Sequence, residues 1–144
     1  MDLRLTQIGT EEPELVDIRY RQMTEQVHEI ASFVRLTQEG IAVSEDGKLR
    51  RIPIAELYYA EAVDNRVFAY TASDVFEVHM RLYELEQVLN SHRFLRASKQ
   101  VLVNLMKVES IRPALNGRFI VHLRNGEDVI VSRKYVPDLK RALQ

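Results

Sequence analysis

Two cations, a hydroxyl and an amide occur within five residues in the middle of this chain, in the sequence RASKQ from Arg96 to Gln100. Apolar residues flank them at Phe94-Leu95 and at 101–103, and these flanks have the composition of buried strands. Donors held on a loop with anchored flanks can bind phosphate oxygens and the edges of bases. Lys99 suits O6 or N7 of guanine, and Gln100 suits adenine if its amide faces outward. The segment is therefore typical of a loop that binds a nucleic acid.

A second basic group, Ser132-Arg133-Lys134, lies where a predicted strand passes into the last predicted helix. The free N–H groups and the dipole at the start of a helix favour an anion, and the two cations add to that attraction. This group is therefore a candidate phosphate site. In the alternative interpretation Ser132 caps the helix beside two solvated cations, which is compatible with binding.

Charge is distributed unequally along the chain, although the formal net charge is only -1. Residues 1–92 contain 9 Lys and Arg against 17 Asp and Glu, net -8, whereas residues 93–144 contain 11 against 4, net +7. Such a chain can present a basic face to phosphate while its other part stays acidic. Two separately solvated halves explain the charge equally well.

Composition and motifs give little support to other classes of function. The chain has 144 residues, 46% of them hydrophobic and 28% charged, which is typical of one globular domain. It has no cysteine, no signal-peptide pattern and no apolar run near the ~20 residues of a membrane span, so we expect a cytoplasmic protein. The four histidines lack metal-site spacing: His28, His79, His92 and His122. Because glycine-rich phosphate loops and nucleophile motifs are also missing from the sequence, we expect no catalysis, cofactor, metal or small-molecule substrate.

The pattern from Ile41 onward predicts short strands separated by turns. Strands are predicted at 41–43, 49–54, 57–63, 66–71, 75–80, 94–97, 101–108, 110–115, 118–123 and 128–132, and helices at 81–90 and 134–143. Asn116-Gly117 and Asn125-Gly126 are strong hairpin signals. Pro137 suits the first turn of the last helix. Asn104 lies between apolar neighbours and is expected to make a structural hydrogen bond.

Several stretches occur in an order that a known family shares: LYYAEAVDNRVFAYT, RLYELEQVL, FLRASKQVLVNLMKVESI and GRFIVHLRNGEDVIVSRKYVPDLK. With F-x-R before Val103-Asn104, a glycine hairpin and VSR at 131–133, residues 41–144 resemble the LytTR DNA-binding domain family. Family members commonly carry R-x-H-R-S-Y-x-V-N at the centre. This chain has Ser98-Lys99 in place of the histidine-arginine pair, so the base preference of the family is not carried over to this chain.

The resemblance implies a mainly β (α+β) fold, an elongated arrangement of short sheets with small helices. It also implies that loops, not a recognition helix, enter successive major grooves of double-stranded DNA. By motif the turn Asp64-Asn65-Arg66 matches a family loop, although Asp-Asn also favours a plain hairpin turn whatever the function. For Arg96, an internal carboxylate is as good a partner as a phosphate. The predicted DNA-binding residues are Asn65, Arg66, Arg96, Ser98, Lys99, Gln100, Ser132, Arg133 and Lys134.

A bacterial transcriptional regulator is the function that this resemblance implies, similar to small stand-alone LytTR regulators. Its expected partners are DNA with repeated sites, a second copy in a homodimer, and a membrane-embedded antagonist protein. The alternative is a protein-interaction module or adaptor on the same scaffold, which no longer reads DNA because Ser98-Lys99 departs from the family pattern.

Residues 1–40 predict a separate strand-and-helix unit before the domain at 41–144. Alternation predicts strands at 1–8 and 14–20, and apolar residues at helical spacing predict a helix over 23–38. The apolar helix positions are Val27, Ile30, Ala31 and Val34. With 4 Lys and Arg against 8 Asp and Glu, the unit has net charge -4. We therefore expect it to lie away from DNA and to serve dimerisation or partner docking.

Overall fold

The computed structural model describes residues 1–90 and 93–143, apart from the side chains of Leu36 and Thr37. Its helices are α1 (Glu25–Gln38), α2 (Leu82–Val88) and α3 (Val136–Ala142). Its strands are β1 (Gly40–Glu45), β2 (Lys48–Pro53), β3 (Tyr59–Val63), β4 (Arg66–Tyr70), β5 (Val75–Val78), β6 (Phe94–Arg96), β7 (Val101–Asn104), β8 (Val108–Pro113), β9 (Phe119–Leu123) and β10 (Asp128–Val131). The predicted mainly β fold with small helices is confirmed.

The described strands form two antiparallel sheets. The larger has the order β2-β1-β5-β4-β3-β7-β6, and the smaller has the order β10-β9-β8. Tight turns join the neighbouring strands, and the residues in them adopt the positive φ that such turns require. Asn65 has φ 64, Asn116 φ 62 and Gly126 φ 90, so the two Asn-Gly segments are turns as predicted. These turns set where the polar loops emerge from the sheets.

Each face of the larger sheet packs on its own core. The first core lies against α2 and contains Ile41, Val43, Ile52, Ile54, Leu57, Ala60, Val67, Ala69, Phe76, Val78, Leu82, Leu85, Leu89 and Leu102. The second lies against the smaller sheet and α3 and contains Ala97, Val103, Val121, Leu123, Val129, Val131, Val136 and Leu139. Leu102 and Val103 of β7 face opposite cores because side chains alternate along a strand. β7 is thus fixed from both sides.

Tyr59 connects the larger sheet to the turn between β9 and β10. Its ring stacks on Tyr70 with the ring centroids 4.2 Å apart. The carboxylate of Glu127 in that turn lies near its hydroxyl. Burial, and then the neighbouring Glu127 carboxylate, raise the pKa of Tyr59 far above its usual range, so the phenol keeps its proton.

The predicted strand pair at 1–8 and 14–20 is wrong, because residues 1–23 contain no strand. The chain does reverse direction as a hairpin requires, with the amide of Glu12 donating to the carbonyl of Gly9 at 3.4 Å. Nearly all of these side chains are exposed, including Leu3 and Leu5 at 84% and 86%. A two-stranded pair without a core to cover is marginal in water, so alternation alone did not produce a ladder.

Helix α1 does form, as predicted, and it packs on the β domain. The hydroxyl of Thr24 caps it by accepting from the amide of Val27 at 3.2 Å. Val27 is 4% exposed. After the helix, the carbonyl of Glu39 accepts from the amide of Ile54 at 2.9 Å. Of the described helices, none has the length and apolar character that a membrane crossing requires.

Asn104 makes the structural hydrogen bonds that the sequence predicted. It is 3% exposed, donates to the carbonyl of Leu57 at 2.8 Å and accepts from the amide of Met106 at 2.9 Å. Asn104→Ala should therefore lower the free energy of unfolding by roughly 2 kcal/mol, because one buried and one partly buried backbone group lose their partner. Urea unfolding measures this loss, with exposed Asn90→Ala as the control. Equal losses in the two variants would contradict the prediction.

Candidate nucleic-acid interface

The loop between β6 and β7 is held rigidly at its base and exposed at its tip. The amide of Ala97 donates to the carbonyl of Val101 at 2.8 Å, which closes the loop. The hydroxyl of Ser98 accepts from the amide of Gln100 at 3.2 Å. Lys99 and Gln100 are exposed, and their side chains have no hydrogen-bond or ionic partner among the described residues. The side chains of Lys99 and Gln100, which can bind base edges, are thus not engaged by other described residues.

Arg96 has an internal carboxylate as its partner, one of the two alternatives that the sequence left open. Its guanidinium lies 3.3 Å from the carboxylate of Glu86 on α2, and its side chain is 19% exposed. It also donates to the carbonyl of Lys99 at 2.9 Å. Arg96 therefore ties the loop tip to the helix beneath it and acts as a positioning residue.

The turn between β3 and β4 lies next to this loop. The amide of Ala62, just before the turn, donates to the carbonyl of Gln100 at 2.8 Å. That bond continues the pairing of β3 with β7, in which Glu61 lies opposite Val101. Asn65 is exposed at the tip of the turn. Two of the predicted contact loops therefore lie side by side at the same end of the larger sheet.

The guanidinium of Arg66 is held against the surface of the larger sheet. Its guanidinium donates to both carboxylate oxygens of Glu77 on β5, at 2.9 and 2.7 Å. It also lies over the ring of Phe68, 5.3 Å from the centroid. Sequence reasoning missed this partner, because Glu77 becomes a neighbour only when β4 and β5 pair. The bidentate bond holds Arg66 beside the turn, and Asn65 is the polar tip residue.

The predicted group at residues 132–134 is attached to the β6–β7 loop through Ser132. The amide and the hydroxyl of Ser132 both donate to the carbonyl of Ala97, at 2.8 and 3.2 Å. In the alternative interpretation the Ser132 hydroxyl caps the helix, but the structure shows no capping bond from it: Ser132 precedes the 3-10 turn Arg133–Tyr135, which leads directly into α3. Arg133 and Lys134 remain exposed in a short 3-10 turn.

A fourth loop, which the sequence analysis missed as part of the interface, lies beside Arg133. A Cβ atom placed on Gly117 would come within 3.0 Å of Cδ of Arg133, so the β8–β9 loop passes directly along that side chain. Arg118 follows in the loop and is exposed. The hairpin turn at Asn125-Gly126 was the available signal, because it brings Val131 opposite Phe119.

We name the surface formed by residues 64–66, 96–100, 116–118 and 132–134 the loop face. It contains six Lys and Arg against one Asp. Two of the six, Arg66 and Arg96, are ion-paired. The remaining four are Lys99, Arg118, Arg133 and Lys134, all exposed. Such a concentration of free cations suits a polyanion.

The described residues contain no group of three His, Asp or Glu that could hold a metal ion. His92 lies outside the described residues. His122 lies 2.7 Å from a carboxylate oxygen of Asp128 on the exposed side of the smaller sheet.

The fold and sequence match a known family. The sequence model of the LytTr DNA-binding domain family matches residues 47–144, so the chain belongs to the LytTR DNA-binding domain family. A LytTr DNA-binding domain from a Bacillus cereus response regulator has a similar fold, with TM-score 0.68 and 23% identity over 72% of this chain and 95% of that domain.

Two bacterial relatives of different length show how far the similarity extends. The transcriptional regulatory protein YpdB of Escherichia coli K12 is 29% identical over 114 residues, 78% of this chain and 47% of YpdB, so the chain spans about half of that relative. An HTH-type transcriptional regulator of Staphylococcus aureus strain NCTC 8325 is 28% identical over 99% of this chain and 98% of its own length. The described helices of this chain are separated by strands and do not form a helix-turn-helix pair.

The Arg66–Glu77 pair predicts how stability depends on pH. Hydrogen bonds from Arg66 lower the pKa of Glu77 below its ordinary value. A group whose pKa is lowered by folding stabilises the protein above its unfolded pKa, and this contribution is lost as pH falls through the folded pKa. Glu77→Gln should therefore be less stable than the wild type at neutral pH, and the difference should disappear in acid.

Denaturant unfolding at a series of pH values between about 7 and 2 measures this difference. Glu56→Gln, at an exposed glutamate outside the sheet, controls for the loss of one carboxylate. A difference between Glu77→Gln and the wild type that persists unchanged in acid would rule out the ion pair as its cause.

Proposed function

We propose that this chain is a sequence-specific transcriptional regulator whose loop face binds double-stranded DNA, with neighbouring loops entering successive major grooves. Membership of the LytTR family supports a DNA-binding regulator. The observation that carries the finer proposal is the attachment of three predicted contact loops to one another, through Ala62–Gln100 and Ser132–Ala97. Loops fixed in this way keep a constant spacing, which a repeated groove requires.

The side chains of the loop face divide into two roles. Lys99, Gln100 and Asn65 occupy exposed tips, where they reach base edges by donating or accepting hydrogen bonds. Arg133 and Lys134, joined by Arg118, lie at the margin and bind phosphates. Since Lys99 stands where the family commonly has arginine, its single ammonium group reads a guanine without the bidentate fork.

Arg66, Arg96, Ser98 and Ser132 act by holding the loops. Each has its polar side-chain atoms bonded inside the fold, to Glu77, to Glu86, to the amide of Gln100 and to the carbonyl of Ala97, respectively. Contacts from these four residues to DNA are secondary in this proposal. Their loss reduces affinity by releasing the loops.

Two copies binding adjacent repeats complete the proposed regulator. The relatives named above carry names of transcriptional regulators, which supports the same role here. We further propose a membrane-embedded antagonist as a partner that restrains the regulator. The alternative function, an interaction module that does not read DNA, is favoured by one observation, the Ser98-Lys99 sequence at the loop tip. A gel shift with DNA from upstream of its own gene separates the two functions.

The phosphate role predicts a salt dependence. The logarithm of the affinity for DNA should fall linearly with the logarithm of salt concentration, by about 0.9 per phosphate contact. Lys134→Ala should reduce this slope by about one contact. Arg124→Ala is the matched control, because Arg124 is exposed in the β9–β10 turn at the opposite end of the smaller sheet. Affinity that does not depend on salt would contradict DNA binding by the loop face.

The base-reading role predicts a loss of specificity. Lys99→Ala should weaken binding to the best site by about 1–3 kcal/mol and binding to random DNA much less, since a base contact is lost. Fluorescence anisotropy with both DNAs measures the two losses, again against Arg124→Ala. Equal losses on the two DNAs would show that Lys99 only positions the protein.

A further inference from the structure

The larger sheet has an open edge at β2, which is the outermost strand on one side and the first in the strand order. The β1–β2 turn places Glu45 opposite Lys48. Because antiparallel pairing alternates, the backbone groups of Leu49 and Arg51 point away from β1. The backbone of Pro53 also points away from β1, and Pro53 has no N–H to donate there. Within the described chain no backbone hydrogen bond reaches these outward groups, so they are available to another strand.

The side chains along this edge are basic around an exposed leucine. Lys48, Arg50 and Arg51 are all exposed, and Leu49 between them is 78% exposed. Arg50 forms an ion pair with Glu45 at 3.0 Å. Lys48 and Arg51 have no ion pair among the described residues. Charge alone would protect an edge strand, but an exposed leucine near its start favours docking.

A complementary segment precedes α1, and we name residues 11–20 the arm. Val16, Ile18 and Tyr20 alternate and share one face of an extended chain. Val16 is 64% and Tyr20 53% exposed while Ile18 is partly buried, so most of this apolar face is uncovered within the described chain. The arm carries four carboxylates before its first cation, Arg19: Glu11, Glu12, Glu14 and Asp17.

We propose that the open edge of β2 binds the arm of a second copy of this chain, which adds a strand to the sheet. The arm supplies backbone groups for Leu49 and Arg51, its apolar face covers Leu49, and its carboxylates meet the free cations. Residues 14–20 are long enough to pair with the six residues of β2. Two copies that exchange arms make the same contact twice, as a closed dimer requires.

The exposure of both surfaces favours a second copy over the arm's own β2. In the described chain Leu49 is 78% and Val16 64% exposed, and no backbone hydrogen bond joins the arm to β2, so the arm does not lie on the edge of its own chain. The proposal accounts for a homodimer without using the loop face.

A charge exchange between full-length variants tests this contact. The arm variant is Glu14→Lys with Asp17→Lys, and the edge variant is Lys48→Glu with Arg51→Glu. All four side chains are exposed, so neither variant disturbs a core. Sedimentation equilibrium should show a dimer for the wild type and a weakening of roughly tenfold or more for each variant alone. An equimolar mixture should regain wild-type dimerisation, because each arm then meets an edge of opposite charge.

A wild type that is monomeric at all concentrations would overturn the proposal. So would variants that dimerise like the wild type, or a mixture that does not recover. Binding of each variant to DNA with a single site is measured in parallel. It should be unchanged, because β1, β5 and β4 separate β2 from β3. Loss of dimerisation with retained DNA binding therefore tests this contact independently of the DNA-binding proposal.

Discussion

The carbonyl oxygen of Ala97 joins the two sheets at the point where the proposed interface forms. It accepts two hydrogen bonds from Ser132, while the methyl group of Ala97 is fully buried in the second core. The β6–β7 loop belongs to the larger sheet, and Ser132 leaves the smaller one. Because both bonds end on one atom, the loops cannot move apart without leaving a carbonyl without donors in a place that packing has closed. The distance between Lys99 and Arg133 therefore follows from the fold.

The acidic half of the sequence contributes to the basic surface. Glu77 and Glu86 come from the net acidic residues 1–92, yet they hold Arg66 and Arg96, respectively. These pairs are partly exposed, so solvent screening limits their contribution to stability. These pairs act on geometry, since the Arg66 pair holds the turn that carries Asn65 and the Arg96 pair holds the loop that carries Lys99. The acidic part of the sequence thus supplies the anchoring carboxylates, and the basic part supplies the exposed cations of the loop face.

The amino-terminal region has a helix that packs on the β domain and a preceding segment that lies outside both cores. Helix α1 has a buried residue, Val27, and the chain after it joins the sheet through the Glu39–Ile54 backbone bond. β1 begins at Gly40, before the matched family region at 47–144, and pairs fully with β2. Residues 1–23 lie outside both cores. Most of their apolar side chains are exposed, and burial against another chain would stabilise them.

The sequence by itself determined the mainly β fold, most strand positions, the turns at Asn116-Gly117 and Asn125-Gly126, and the structural role of Asn104, because these follow from local periodicity, turn chemistry and burial of a single amide. It could not determine the partners of Arg66 and Arg96, which are supplied by β5 and α2, or the position of Gly117-Arg118 beside Arg133. It also predicted strands at 1–8 and 14–20 that do not form. Contacts between residues distant in sequence depend on which strands pair and which core each face covers, and only the tertiary structure decided these.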